Sequence, residues 1–464
     1  MEQKSSRGKT ALRVILNTLL IIGGLVVGFF LLLMLIFDHP REQPAHPGEQ
    51  PAPTGITRWI QKDGNFIFTS DENGAVITGY LGSEEAVVIP DVLGGQPVVS
   101  IANYAFSSQK YSGTSQLRTV TFPDTVMYIG IGAFQGRSKL ERIIFSPDSQ
   151  LRWIDNSAFF DCPSLTDVQL PGQVERIGHE AFGYCTRLTS FHIPASVTQI
   201  EVNPFPYCKS LTTITVDPAN ESFTVVDGML IDKRPREILQ DDPNTVKTSL
   251  ICLLSYPGGL TETQLTIPEG VTEIRQKAFF WCESLQNVLL PQSLQAIGAS
   301  AFYGCTSLEQ INLPAGLLHI TTDPFGQRPE SFTVTVTPYS CGEDWAIRYD
   351  VPMKPVFSLT DYARFMADFP MDRVMQPIAS AGDAKAAAET IWLEVYGDTV
   401  LDEKPYRVYR DEASAAWLIM GTLNQPGDAF VIQGDTKIIK LHFGGVANCI
   451  LQDDGQVLAV WHER

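Results

Sequence analysis

Five of the eight cysteines fall on one beat: Cys162, Cys185 and Cys208 are 23 residues apart, and so are Cys282 and Cys305. Thiols at fixed spacing suggest cross-linking, metal binding or nucleophilic chemistry. If each period is one coil of chain, adjacent thiols lie near enough for a disulfide, yet three in one column cannot all pair. No CxxC pair occurs and no histidine column accompanies the thiols, so a zinc site has little support. The remaining reading is a buried thiol ladder acting as small apolar filler. The seven histidines are scattered without partners at ligand spacing, and paired carboxylates such as Asp241-Asp242 sit in a polar loop. There is no GxSxG, HExxH, GxxxxGK[ST] or EF-hand loop, and GIGAFQG at 130–136 has the wrong spacing for a dinucleotide turn. General acid–base catalysis needs convergent groups, and nothing linear shows convergence. The expectation is no catalytic residue, no metal, no cofactor and no enzymatic activity.

What positions the thiols is a repeat. LTDVQLPGQVERIGHEAFGYCTR at 165–187 is followed without a gap by LTSFHIPASVTQIEVNPFPYCKS at 188–210. Ala-Phe or Pro-Phe pairs mark the same place at Phe106, Phe134, Phe159, Phe182, Phe205, Phe279, Phe302 and Phe325. A second column pairs an aliphatic or aromatic residue with Pro, from Ile89-Pro90 to Leu313-Pro314, each Pro stopping a short strand because it has no N–H for the ladder. A third is Ile129, Ile154, Ile177, Ile200, Ile274, Ile297 and Ile320. The few apolar side chains of one such unit cannot offset the backbone entropy of ordering it, so units must stack. Eight or so coils, roughly 4.8 Å apart, would form a curved slab. Two alternating runs joined at Asn73-Gly74 read as a hairpin covering its first end.

Alternation along the strands sends every second side chain to the surface. In 188–194, Phe191 and Ile193 point inward while Ser190 and His192 point out. The same logic exposes Thr119, Arg142, Asp167, Gln169, Thr213, Thr215, Thr266, Asn287, Gln310, Asn312 and Thr335, with Ile144 and Leu289 as apolar interruptions. Thr suits any solvated strand face, but the set could also form a shallow polar platform for a protein or glycan.

Residues 14–37 are almost wholly apolar and, as a helix, long enough to span a membrane. No small-x-small cleavage site follows, and Lys4, Arg7, Lys9 and Arg13 precede the run. The expectation is a single transmembrane anchor with residues 1–13 cytoplasmic and the C-terminus outside. Five prolines in 38–57 make a semi-rigid stalk. The formal net charge is −18 despite that basic start, so the body is strongly acidic and nucleic acid is excluded as a partner.

After residue 356 the rhythm stops. Ser358 to Asp361 has capping-box spacing, and 357–380 reads as a linker helix. Ala384, Ala387, Ala388, Ile391, Trp392, Val395 and Tyr396 form one helical stripe, opened by Ser380 or Asp383 and stopped by Gly397. Six short strand-like runs follow, the last two joined at Asp454-Gly455. This is an α+β layout. Trp392, Trp417 and Trp461 are assigned to its core; Glu394, Asp398, Arg407 and His442 are its candidates for a partner surface.

The pattern L-x-x-I-x-I-P-x-x-V-x-x-I-x-x-x-A-F-x-x-C resembles the BspA-type leucine-rich repeats of bacterial surface proteins, over about 80–355. ITGYLG at 77–82 is similar to that family's first unit, VVDGMLI at 225–231 with LLSYPGG at 253–259 to its mid-array insertion, and TPYSCGEDWAIRYDVP at 337–352 to its closing segment. The resemblance implies an α/β solenoid, mostly of β coils, spanning 58–356 and serving surface binding or adhesion. IWLEVYG, KPYRV, WLIMGTL and FGGVANCILQDDGQVLAV, within 381–464, are similar to bacterial immunity domains with the nuclear transport factor 2-like fold. That implies a cone-like domain that binds a cognate toxin. The same cone also hosts enzymes, and the added stretch 424–442 departs from the family pattern.

Overall fold

The computed structural model describes residues 60–462 except 111–115, 201, 238–248, 339, 398–405, 422–429, 434–435 and 440–446. The apolar run 14–37, its basic flank and the stalk 38–57 lie outside the described residues. Among the described residues no helix is long and apolar enough to cross a membrane.

Each repeat folds as one coil carrying up to two short parallel strands. One ladder runs through Gly74–Tyr80, Gln96–Ile101, Tyr128–Ile129, Trp153–Ile154, Arg176–Ile177 and Gln199–Ile200. It keeps one coil per rung, with Ile154 opposite both Ile129 and Ile177. After each Pro the chain turns at once: the N–H of Val174 donates to the carbonyl of Pro171, and that of Val197 to Pro194. The isoleucine column is buried as expected except for Ile320 at its end, which is half-buried.

The phenylalanines stack through the core in two runs, Phe106 to Phe205 before the insertion and Phe279 to Phe325 after it. Ring centroids lie 4.8 Å apart between Phe106 and Phe134, 5.2 Å to Phe159 and 5.4 Å to Phe182. Tyr80 stacks on Phe106 and Tyr256 packs against Phe279, adding rungs that the Ala-Phe pattern does not mark. Identical rings at one repeat distance make each coil the packing partner of the next, which is why the array is stable only as an array.

The opening hairpin differs from expectation by one residue. Its two-residue loop is Glu72-Asn73, with Asp71 paired to Gly74. The Asp71 carboxylate accepts the Asn73 N–H at 2.8 Å, and Gly74 takes φ +129° where a Cβ would lie 2.7 Å from Val99. The second strand of the hairpin then pairs in parallel with Gln96–Ile101 and so begins the ladder itself.

In the insertion, Phe223–Val226, Met229–Glu237 and Ser249–Ser255 pair antiparallel, and the last of them re-enters the ladder in parallel with Glu273–Ile274. The coil carrying Tyr256 has Pro257-Gly258-Gly259 in place of a full corner. Gly259 donates to the Leu211 carbonyl at 2.9 Å, and a Cβ there would sit 2.8 Å from that oxygen. Above the shortened corner its neighbours close on each other: Asn203 Nδ2 donates to the Lys277 carbonyl at 2.6 Å, Lys209 pairs with Glu283 at 2.6 Å, and Lys277 pairs with Glu180.

Helix α1, Cys341–Arg348, closes the array. Ser340 caps it by accepting from the Glu343 N–H, and Trp345 packs edge-on to Phe325 at 5.3 Å. Beyond it lies a five-stranded antiparallel sheet in the order Pro370–Val374, Gln456–His462, Ala447–Gln452, Ala416–Met420, Arg407–Asp411.

The linker reading of 357–380 needs correction. The segment forms a 3₁₀ turn, Leu359–Tyr362, then helix α2, Ala363–Asp368, then the edge strand Pro370–Val374 of that sheet. Ser358 makes no side-chain cap; the N–H of Leu359 donates instead to Asp411. Burial decides this: Phe357 and Tyr362 pack on Leu418, Met420, Ile450 and Trp461 across one face of the sheet. The other face is covered by helix α3, Ala381–Tyr396, capped by Ser380 and ended at Gly397 as expected. Its stripe packs as far as Tyr396, except for Val395, which is exposed. Trp392, Trp417 and Trp461 are all buried. Within the added stretch, Phe430–Gln433 and Thr436–Ile439 form a separate hairpin.

Candidate functional site

The outward strand face is the first candidate. All of Thr119, Arg142, Asp167, Gln169, Ser190, His192, Thr213, Thr215, Asn287, Gln310 and Asn312 reach the surface, fully or half exposed. Strand register gathers them into rungs: Thr119 beside Arg142, Arg142 beside Asp167, Ser190 beside Thr213, His192 beside Thr215, Asn287 beside Gln310. His192 Nδ1 and Thr215 Oγ1 are hydrogen-bonded at 2.9 Å, and Gln169 Nε2 donates to Asp167 at 3.3 Å.

The platform is not one sheet. It is split into three strands ending at Arg142–Ile144, two strands at Ser190–Ile193 and Thr213–Val216, and five strands from Gln264–Thr266 to Met353–Pro355. The coil at 165–171 makes a single bridge, Arg142 to Asp167, and the insertion separates the last two patches. Alternation along one strand predicts which side chains face out, but not whether successive coils pair. Val88, 70% exposed, joins Ile144 on the first patch as an apolar spot that the sequence reading missed.

The five-stranded patch ends in a cleft of about 260 Å³ where the chain leaves Met353–Pro355 for the last domain. Gln292, Asn312 and Thr335 line it from the repeat side, Val356 and Asp361 from the departing chain. Thr337 Oγ1 donates to Asp361 at 3.3 Å, and partial burial of this otherwise exposed residue pushes its carboxyl above the usual range against that bond. No linear signal marks this place, because Gln292 and Asp361 are neighbours only once three coils have stacked.

The thiol column is inert packing. Each thiol donates to a carbonyl one coil earlier: Cys162 to Phe134, Cys185 to Phe159, Cys208 to Phe182, Cys305 to Phe279. Burial pushes Cys162, Cys208 and Cys305 up to about 12, and none of the column is disulfide-bonded.

On the last domain, Glu394 is exposed and bound by Arg373 of the edge strand, which holds its carboxyl below the usual range. Arg407 does not face a free surface: Nη1 donates to Glu343 of helix α1 at 2.7 Å, across the joint between the array and the sheet. Asp398 and His442 lie outside the described residues.

Together these features define a stacked β-coil scaffold with a polar outward face, docked onto an α+β sheet domain. Residues 99–225 and 259–338 match the BspA type leucine rich repeat region in six copies, and residues 383–464 match the NTF2 fold immunity protein family. The array is thus a BspA-type leucine-rich repeat region, and the last domain an immunity-protein domain of the nuclear transport factor 2 fold. Comparison with curated proteins finds no match. Among solved structures, a leucine rich cell surface protein from Faecalibacterium prausnitzii A2-165 is 24% identical, covering 66% of this chain and 97% of that one, with TM-score 0.37. A leucine rich repeat protein of T. pallidum is 25% identical over 54% of this chain and 91% of that one, with TM-score 0.33. One from Eubacterium ventriosum ATCC 27560 is 21% identical over 60% and 71%, with TM-score 0.42.

Proposed function

We propose that the chain is a non-enzymatic bacterial surface protein, held in the membrane by 14–37 with its C-terminus outside, whose repeat face binds a protein or glycan partner. The observation that supports the binding role is the set of outward polar side chains held in register on coils whose cores are fixed by the phenylalanine stack. A rigid scaffold presents such groups without the entropy cost of ordering them on contact. The anchor rests on the composition of 14–37 alone.

Two measurements test this reading. Protease shaving of intact cells should release the repeats while leaving residues 1–13 protected. Arrays of host proteins and oligosaccharides, probed with the full chain, should yield a ligand whose binding weakens tenfold or more with Arg142→Glu, His192→Ala or Gln310→Ala. Protection of the repeats, or binding indifferent to every face variant, refutes it.

The match of 383–464 favours a second reading, in which the last domain neutralises a cognate toxin while the repeats act as a stand. Its test is rescue of growth on coexpression with toxins encoded beside the gene. Loss of rescue with Glu394→Lys, but not with repeat-face variants, would select it.

A further inference from the structure

We propose that the cleft at the end of the five-stranded patch takes one ring of a neutral sugar, presented at the tip of a glycan. The inference rests on the repeat-face binding reading and names a ligand class and a subsite for it.

Its lining chooses among ligand chemistries. Among the described residues, the side chains of Gln292, Asn312 and Thr335 make no hydrogen bond, so two amides and a hydroxyl are open to a ligand. Asp361 adds a carboxylate that already accepts from Thr337 on one oxygen, leaving acceptor capacity for ligand hydroxyls. Planar amides and a carboxylate pair with neighbouring hydroxyls, each both donating and accepting. No Lys or Arg lines the cleft, and Asp361 would repel a carboxylate, phosphate or sulfate. The exposed side chain of Val356 offers an apolar spot for the C–H face of a ring. At about 260 Å³ the space is below the range of drug-sized pockets and suits a single ring.

The position matters as much as the lining. One wall belongs to the repeats and the other to 356–361, the segment that continues onto the sheet of the last domain. The cleft therefore exists only in the joined protein, and it opens beside Gln310 and Asn312 of the face. A glycan seated there can extend along the rungs.

The test uses the full chain on an array of neutral, sialylated and sulfated oligosaccharides, followed by titration calorimetry with the best neutral probe. Asn312→Ala and Asp361→Asn should each weaken the neutral probe about tenfold or more, and Glu221→Ala, on the surface elsewhere, should leave it unchanged. All these side chains are exposed, so an unaltered melting midpoint certifies folding. A preference for sialylated or sulfated probes overturns the ligand class. Neutral-sugar binding lost with His192→Ala yet indifferent to Asn312→Ala overturns the cleft and leaves the face reading standing. A protein ligand lost with His192→Ala, with no sugar bound at all, does the same. Binding of no sugar or protein that responds to any face variant overturns both.

Discussion

Arg407 Nη1 donates to Glu343 Oε1 at 2.7 Å, joining an edge strand of the last domain to the helix that closes the repeats. The Glu343 side chain is 2% exposed, and burial outweighs its cation in lifting its carboxyl above the usual carboxylate range. Tyr409 lies 3.4 Å from the same oxygen, and Tyr362 donates to the Pro338 carbonyl nearby. The two domains are thus tied by polar bonds around a buried carboxylate as well as by the packing of Phe357 and Tyr362.

Arg407→Ala should loosen that joint. It withdraws the cation from a carboxylate that water does not reach, which costs on the order of 2–3 kcal/mol. The expected outcome is a lower denaturant midpoint for the last domain, followed by its tryptophan fluorescence, and faster protease cleavage within 357–380. Unchanged cleavage would mean that apolar packing alone holds the joint.

Glu180 predicts an acid-sensitive clasp over the insertion. Burial by itself would raise its carboxyl, but His179 at 3.2 Å and the paired Lys277 outweigh that and bring it to about 2, from an ordinary 4.5. The folded value is depressed, so its contribution is fully present above 4.5 and is lost as pH falls from there towards 2. Stability measured against pH should decline through that window, and Glu180→Gln should flatten the decline by up to one proton's worth of slope. An unaltered slope would move the acid sensitivity to other carboxylates.

The thiols should divide into two classes. Cys341 is half-buried, while the five column thiols, Cys252 and Cys449 are buried. A maleimide should modify Cys341 slowly and the rest only on unfolding, because a buried thiol pushed far above neutrality yields almost no thiolate. Cys185→Ser keeps a donor to Phe159 and should be mild, whereas rapid labelling of Cys185 in the native chain would contradict its place in the core.

How far the sequence revealed this molecule depends on the range of the interaction. Columns at a spacing of 23, the Ser380 cap and the Gly397 stop are local or periodic, and they stand where the pattern put them. The strand Pro370–Val374 was hidden because its Pro sits at the first position and a bulge disturbs its register, so it reads as linker. Arg407 looked like a free surface charge, since its partner lies 64 residues away on another element. The cleft and the break-up of the strand face were equally illegible: each depends on how coils stack, and no single coil encodes that.

The boundary drawn from sequence at residue 381 leads to the last prediction. Leu418, Met420, Ile450 and Trp461 form an apolar sheet face that, in the joined chain, is covered by Phe357, Leu359, Tyr362 and Met366. A fragment of 381–464 lacks this cover and the edge strand Pro370–Val374, leaving apolar surface and the backbone groups of Gln456–His462 open to other chains. It should bind a hydrophobic dye strongly and associate on concentration. A fragment of 356–464 restores the cover and the edge strand and omits helix α1, whose Trp345 face packs on Phe325 of the array, so it should remain monomeric with weak dye binding. Chromatography with light scattering compares the two directly. If 381–464 proved monomeric and silent to dye, the segment 357–374 would be dispensable to the sheet, and its packing would serve only to orient the domain.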